Sequence, residues 1–106
     1  MSMEYRRLGA SGVEVSPICL GTMNFGTVTD DAESRRIVAS ARDAGINFID
    51  TADAYGYGAS ERIVGAAIAA DRRHWILATK VGNPMTTKPR DGGLSRRWIA
   101  HACDDS

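Results

Sequence analysis

Apolar and polar positions follow a repeating order along the chain. Tyr5-Arg6-Arg7-Leu8 leads through the turn-forming cluster Gly9-Ala10-Ser11-Gly12 into the alternating Val13-Glu14-Val15, which reads as a β-hairpin. Ile18-Cys19-Leu20 is a short apolar run ended by Gly21, the pattern of a buried strand. A glycine-flanked loop, Gly21 to Gly26, comes next. Asp30, with Glu33 three residues on, forms a capping-box arrangement that opens a helix. Ala32, Ile37, Val38, Ala41 and Ala44 recur behind it at helical spacing, and Gly45 supplies the stop.

The same unit then repeats. Ile46-Asn47-Phe48-Ile49 predicts a strand with Asp50 at its carboxyl end. The polar loop 51–59 leads to Ser60 as the N-cap of a helix with the apolar stripe Ile63, Val64, Ala67 and Ile68. Trp75-Ile76-Leu77-Ala78-Thr79 predicts a third buried strand, with Lys80 at its carboxyl end. After a Pro/Gly-rich loop, Ser95 caps a third helix whose apolar positions are Trp98, Ile99, Ala102 and Cys103. Strands alternating with helices about every 30 residues indicate βαβ units and a parallel sheet, the α/β class. Three such units do not close a barrel, which takes eight and typically about 250 residues. The expectation is a minimal α/β domain or part of a larger fold. In the second case Ile18, Leu20, Phe48 and Ile76 face a barrel interior that lacks its opposite wall. Two open sheet edges then invite self-association.

Composition narrows the function classes. The 106 residues include 13 Lys+Arg and 13 Asp+Glu, with 43% hydrophobic and 25% charged residues. These are globular values and exclude a disordered tail. Neutral charge gives no electrostatic reason to expect nucleic acid or anionic lipid as partner. The longest uncharged stretch, Val15 to Thr29, is interrupted by Pro17, Gly21 and Gly26 and is too short and polar to span a bilayer. The start has no secretory apolar region, which with two widely spaced cysteines points to the cytoplasm. Cys19 and Cys103 have no metal-ligand spacing and read as reduced, structural thiols; no metal site is expected.

In a parallel α/β fold, functional groups collect where strands end and loops begin. The three readable edges present Gly21-Thr22-Met23, then Asp50 with Tyr55 in the loop beyond, then Lys80. Each of these alone has a bland reading as turn, packing or solvated surface. Their joint placement makes an acid site. A phenol near pKa 10 holds its proton at neutral pH, and an adjacent ammonium, itself held by a carboxylate, eases its release. Such a tyrosine protonates a developing alkoxide when hydride from a cofactor reaches a carbonyl. No Walker A loop, GxGxxG, HExxH or GxSxG motif offers a rival chemistry. Gly56-Tyr57-Gly58 reads as turn geometry, His74 as surface, and Trp75 and Trp98 as core aromatics. His101 lies mid-helix and is not assigned to catalysis.

The chain resembles the aldo-keto reductase family along its whole length. The resemblance is carried by Arg7-Leu8-Gly9 through Val15-Ser16, by Leu20-Gly21-Thr22-Met23-Asn24-Phe25-Gly26 and by Ala78-Thr79-Lys80-Val81. Its most specific part is Gly45-Ile46-Asn47-Phe48-Ile49-Asp50-Thr51-Ala52-Asp53-Ala54-Tyr55-Gly56, followed by Ser60-Glu61 and Gly65. The detail is similar to bacterial members of the branch that includes potassium-channel β-subunits. This implies that residues 1–106 are the N-terminal part of a single (β/α)8 barrel domain: the hairpin and the first three βα units. It implies NADPH as cofactor and reduction of an aldehyde or ketone to an alcohol. Asp50, Tyr55 and Lys80 match catalytic positions as lysine partner, proton donor and cation. Gly21, Thr22 and Met23, with Asp50, match positions near the nicotinamide and its ribose. Phe25 lines the substrate pocket or packs the loop. The family's catalytic histidine follows a fourth strand, which has no counterpart within residues 1–106. An inactive fragment, or a regulatory module like the channel subunits, is the alternative.

Overall fold

The computed structural model describes residues 3–106. An antiparallel hairpin, β1 (Arg6–Arg7) and β2 (Glu14–Val15), precedes three parallel strands in the order β3 (Cys19–Gly21), β4 (Phe48–Asp50), β5 (Ile76–Ala78). Helices α1 (Asp31–Asp43) and α2 (Ala59–Ile68) form the two crossovers, and α3 (Arg96–Asp105) follows β5. This is the α/β architecture expected, with an open three-stranded sheet. Each parallel strand is three residues long, and β4 and β5 are shorter than their apolar runs. Ile46 is held by the end of α1, where its N–H reaches the Ala41 carbonyl at 3.0 Å, and so does not pair as strand. No helix among the described residues is long and apolar enough to cross a membrane.

Parallel register assigns the faces. Leu20, Ile49 and Leu77 lie side by side, as do Gly21, Asp50 and Ala78 one position on. Successive strand residues point to opposite faces, so the two rows diverge. Ile49 is fully buried among Phe25, Val38, Ile63, Val64, Ile68 and Trp75, with Leu20, Ile37 and Ile46 around them. That core lies between the sheet and the paired helices α1 and α2. Leu20 is therefore a helix-side residue, not a barrel-facing one as its apolar run suggested. Phe48, Asp50, Ile76 and Ala78 occupy the other face and are half-buried, while Ile18 is exposed.

The caps explain where the helices start. The Asp30 carboxylate accepts the Glu33 N–H at 2.8 Å, and the Ser95 hydroxyl accepts the Trp98 N–H at 3.0 Å. Such caps contribute about 1 kcal/mol each. The capping box before α1 is half-made, because the Glu33 carboxylate pairs with Arg36 a turn further on. Ser60 does not cap α2. The helix begins two residues earlier than such a cap would place it, after Gly58 at φ 98°, and the Ser60 hydroxyl turns into the sheet. Gly56 (φ 60°) and Gly58 occupy left-handed conformations that reverse the chain between β4 and α2.

Other side chains also depart from the linear pattern. Asn47 bridges the hairpin to β4: its Oδ1 accepts the Ser16 N–H at 2.7 Å and its Nδ2 donates to the Glu14 carbonyl at 3.0 Å. On α3, Trp98 and Ala102 are buried but Ile99 and Cys103 are exposed, so the apolar stripe is narrower than its spacing suggested. Cys19 is exposed as well, and both thiols are free. His74 is half-buried rather than a surface residue, with its Nε2 at 2.9 Å from the Ile46 carbonyl.

The face assignment is testable by denaturant unfolding. Ile49→Ala empties a filled site and should cost about 2–5 kcal/mol. Ile18→Ala, on exposed surface, should stay within about 0.5 kcal/mol. Equal effects at the two positions would contradict the assignment.

Candidate active site

The parallel pairing of β4 with β5 carries on past the strand ends. The Thr51 N–H donates to the Ala78 carbonyl at 2.9 Å, and the Asp53 N–H to the Lys80 carbonyl at 3.2 Å. Asp50 is paired with Ala78, and Lys80 lies two residues further, which returns its side chain to the face of Asp50. Lys80 Nζ donates to Asp50 Oδ2 at 2.6 Å, to the Thr51 carbonyl at 3.1 Å and to the Tyr55 hydroxyl at 3.0 Å. It also sits 4.8 Å from the centre of the Tyr55 ring. Asp50 and Tyr55 from one strand edge thus meet the Lys80 ammonium from the next.

The Lys80 and Asp50 side chains are 49% and 32% exposed, so their ion pair adds little to stability and acts chiefly on geometry. Partial desolvation pulls the Lys80 ammonium down. Hydrogen bonds to Asp50 and Tyr55, with the charges of both, outweigh that pull and hold its titration above the ordinary 10.5. The ammonium is therefore charged throughout the neutral range. Nearby, burial pushes the Cys19 thiol up, with the Asp50 charge adding to the shift and Lys80 opposing it.

A cleft of about 290 Å³ opens beside Asp50 and Tyr55, lined also by Gly21, Thr22, Met23 and Phe25 among others. The loop after β3 thus shares one concavity with the acid group. Met23 is exposed at this cleft, and the space a Gly21 side chain would fill is open. The Thr22 hydroxyl is different: it is buried, donating to the Asp50 carbonyl at 2.8 Å, with the Ser60 hydroxyl also at 2.8 Å. Phe25 both lines the cleft and packs into the core, at 3% exposure. His101 lies apart, exposed and 3.1 Å from Asp105 on its own helix.

Nothing in the sequence pattern placed Asp53, Thr51, Ser60 or Glu61 in the site, and Ser60 read only as a helix cap. Glu61 accepts the Thr79 hydroxyl at 2.7 Å and so ties α2 to the end of β5. Asp53 is 6% exposed, and its Oδ2 has no hydrogen-bond partner among the described residues. Burial pushes its carboxyl above the usual value, the Ala54 N–H opposes the shift, and the Glu61 charge adds to it. The folded chain therefore holds the Asp53 proton more tightly than the unfolded one. The resulting loss of stability is absent at low pH, grows as pH rises past the ordinary carboxylate value, and is complete above the raised one.

Lys80 and Lys88 are the two lysines of the chain, so competitive acetylation across a pH series reports on each directly. The labelling midpoint of Lys80 should lie above the ordinary lysine value and fall in Asp50→Asn. A midpoint unmoved by that substitution would contradict the geometry.

Residues 17–106 match the model of the aldo/keto reductase family. An uncharacterized oxidoreductase of Bacillus subtilis, YrpG, is 46% identical over 105 residues, covering 92% of this chain and 32% of that protein. A probable voltage-gated potassium channel subunit beta of Arabidopsis thaliana is 39% identical over 103 residues, covering 92% of this chain and 30% of that protein. Among solved structures, the holo form of aldo-keto reductase AKR11C1 from Bacillus halodurans superimposes with a TM-score of 0.87 at 39% identity, covering 98% of this chain and 35% of that one. The chain spans about a third of the length of these relatives. Hairpin and parallel βα units together superimpose on about a third of such a reductase, and the chain belongs to the aldo/keto reductase family.

Proposed function

We propose that the chain carries the proton-transfer corner of an NADPH-dependent carbonyl reductase, with Tyr55 as the acid. The observation that carries this reading is the Tyr55 hydroxyl at 3.0 Å from an ammonium anchored by Asp50 and the Thr51 carbonyl. The residues around the cleft suit the nicotinamide end of a dinucleotide. Gly21 leaves room at the strand end, Met23 offers apolar surface, and Asp50 Oδ1 forms no hydrogen bond among the described residues and is available to a ribose hydroxyl. A bound nicotinamide supplies hydride to the carbonyl carbon of an aldehyde or ketone.

The protein's own part is the proton. As the carbonyl carbon gains hydride, negative charge develops on its oxygen, and the Tyr55 O–H donates its proton there to give the alcohol. The phenolate left behind is stabilised by the Lys80 ammonium, which needs no reorganisation because it is already bonded to the phenol oxygen. Asp50 holds Lys80 in place and keeps it charged, and a proton from solvent restores the phenol. A regulatory role, as the similarity to a channel β-subunit suggests, would not by itself require these three side chains to meet. In solution, the open edges of β3 and β5 favour self-association of the isolated chain.

The test is a chimera in which residues 1–106 replace the matching third of the Bacillus halodurans protein. It should reduce carbonyls with NADPH, and Tyr55→Phe should lower kcat by about 10²–10⁴ while NADPH binding stays largely intact. Activity that survives the substitution would show that Tyr55 is not the proton donor.

A further inference from the structure

Three buried hydroxyls lie directly beneath this site: Thr22 at 1%, Thr51 at 2% and Ser60 at 0% exposure. Each carries a single proton, and that count fixes the direction of every bond between them. Thr22 Oγ1 donates to the Asp50 carbonyl at 2.8 Å, which uses its proton. Ser60 Oγ donates to Thr22, its one proton shared in a three-centre bond between the carbonyl at 3.0 Å and the hydroxyl at 2.8 Å. Thr51 Oγ1, at 2.8 Å from Ser60 Oγ, must then be the donor in that pair. The order is Thr51 to Ser60 to Thr22 to the Asp50 carbonyl. Asp50 and Thr51 are adjacent, so the relay closes into a ring through the peptide that joins them.

That same peptide segment supplies two of the three acceptors of Lys80: the Asp50 carboxylate and the Thr51 carbonyl. We propose that Ser60 is a positioning residue, the keystone of a hydroxyl ring that clamps the Asp50–Thr51 segment and thereby aims Lys80 at Tyr55. The proposal extends the reading of Asp50, Tyr55 and Lys80 as a proton-transfer site. The ring explains why Ser60 turns away from the start of α2, where its sequence position suggested a cap. It also accounts for the burial of the Thr22 hydroxyl beside a cleft otherwise suited to a ligand. Ser60 touches neither Lys80 nor Tyr55, and its effect passes through the clamped backbone.

The experiment is acetylation of the 106-residue chain across a pH series, with Lys88 as internal reference, in wild type, Ser60→Ala and Ile63→Val. Ile63→Val removes packing from the same helix without touching a hydroxyl and controls for loss of stability. Ser60→Ala should lower the Lys80 midpoint and raise its labelling relative to Lys88 at fixed pH by about twofold or more, while Ile63→Val leaves both unchanged. A folded Ser60→Ala chain with wild-type Lys80 labelling overturns the proposal, and so does an equal change in Ile63→Val. If Ser60→Ala does not fold by circular dichroism, Thr51→Val, which keeps the shape and removes the first donor, carries the test with the same expectation. Failure of both to fold overturns the assignment too, because the hydroxyls would then hold the fold rather than the site. Labelling does not depend on turnover, so a positive result here with an inactive chimera would fault the proton-donor reading and leave the ring standing.

Discussion

An ammonium has three protons, and at Lys80 each has an acceptor: a carboxylate, a backbone carbonyl and a phenol oxygen. This saturation is the constraint on which the site depends. A lysine on a flexible four-carbon stem has many rotamers, and one acceptor would leave most of them open. Three acceptors from the end of β4 and the loop after it select one position, and the two beside the sheet set where the ammonium meets the third, Tyr55. The charge stays on Lys80 because its hydrogen-bonded partners outweigh partial desolvation.

The fold supplies the acceptors through strand pairing. Ile49 points into the core beneath α1 and α2, so Asp50, its neighbour, must point away from it. Pairing of Asp50 with Ala78 sets the level at which Lys80 leaves β5, and the backbone bonds beyond the strand ends keep the two loops together for three more residues. The left-handed turn at Gly56 and Gly58 then brings α2 back over the strand ends, where Ser60 meets Thr22 and Thr51. Core, register and site are one arrangement, and a slip of one residue in β5 would remove the ammonium from the phenol.

Much of this was legible in the sequence for a physical reason. Period-2 and helical patterns report burial, and burial decided the class, the element order, the caps at Asp30 and Ser95, and the strand ends at Asp50 and Lys80. Leu20 and the α3 stripe were misplaced because an apolar run does not say which side it faces; that depends on the neighbouring strand or helix. Ser60 was misread because a serine before an apolar stripe is usually a cap, and its actual partners lie 38 and 9 residues away. Asp53 and Asn47 carry polar contacts, or lack them, only in three dimensions. Long-range hydrogen bonds leave no periodic trace, and the positioning layer beneath the site consists of little else.

The most direct measurement is the NMR of the two lysine side chains in chain labelled with ¹⁵N at lysine. The account predicts that Lys80 shows cross-peaks to the ring protons of Tyr55, that its ammonium protons exchange more slowly than those of Lys88, and that it titrates above the ordinary lysine value. Equal ammonium exchange at the two lysines, and no contact between Lys80 and Tyr55, would contradict the central claim.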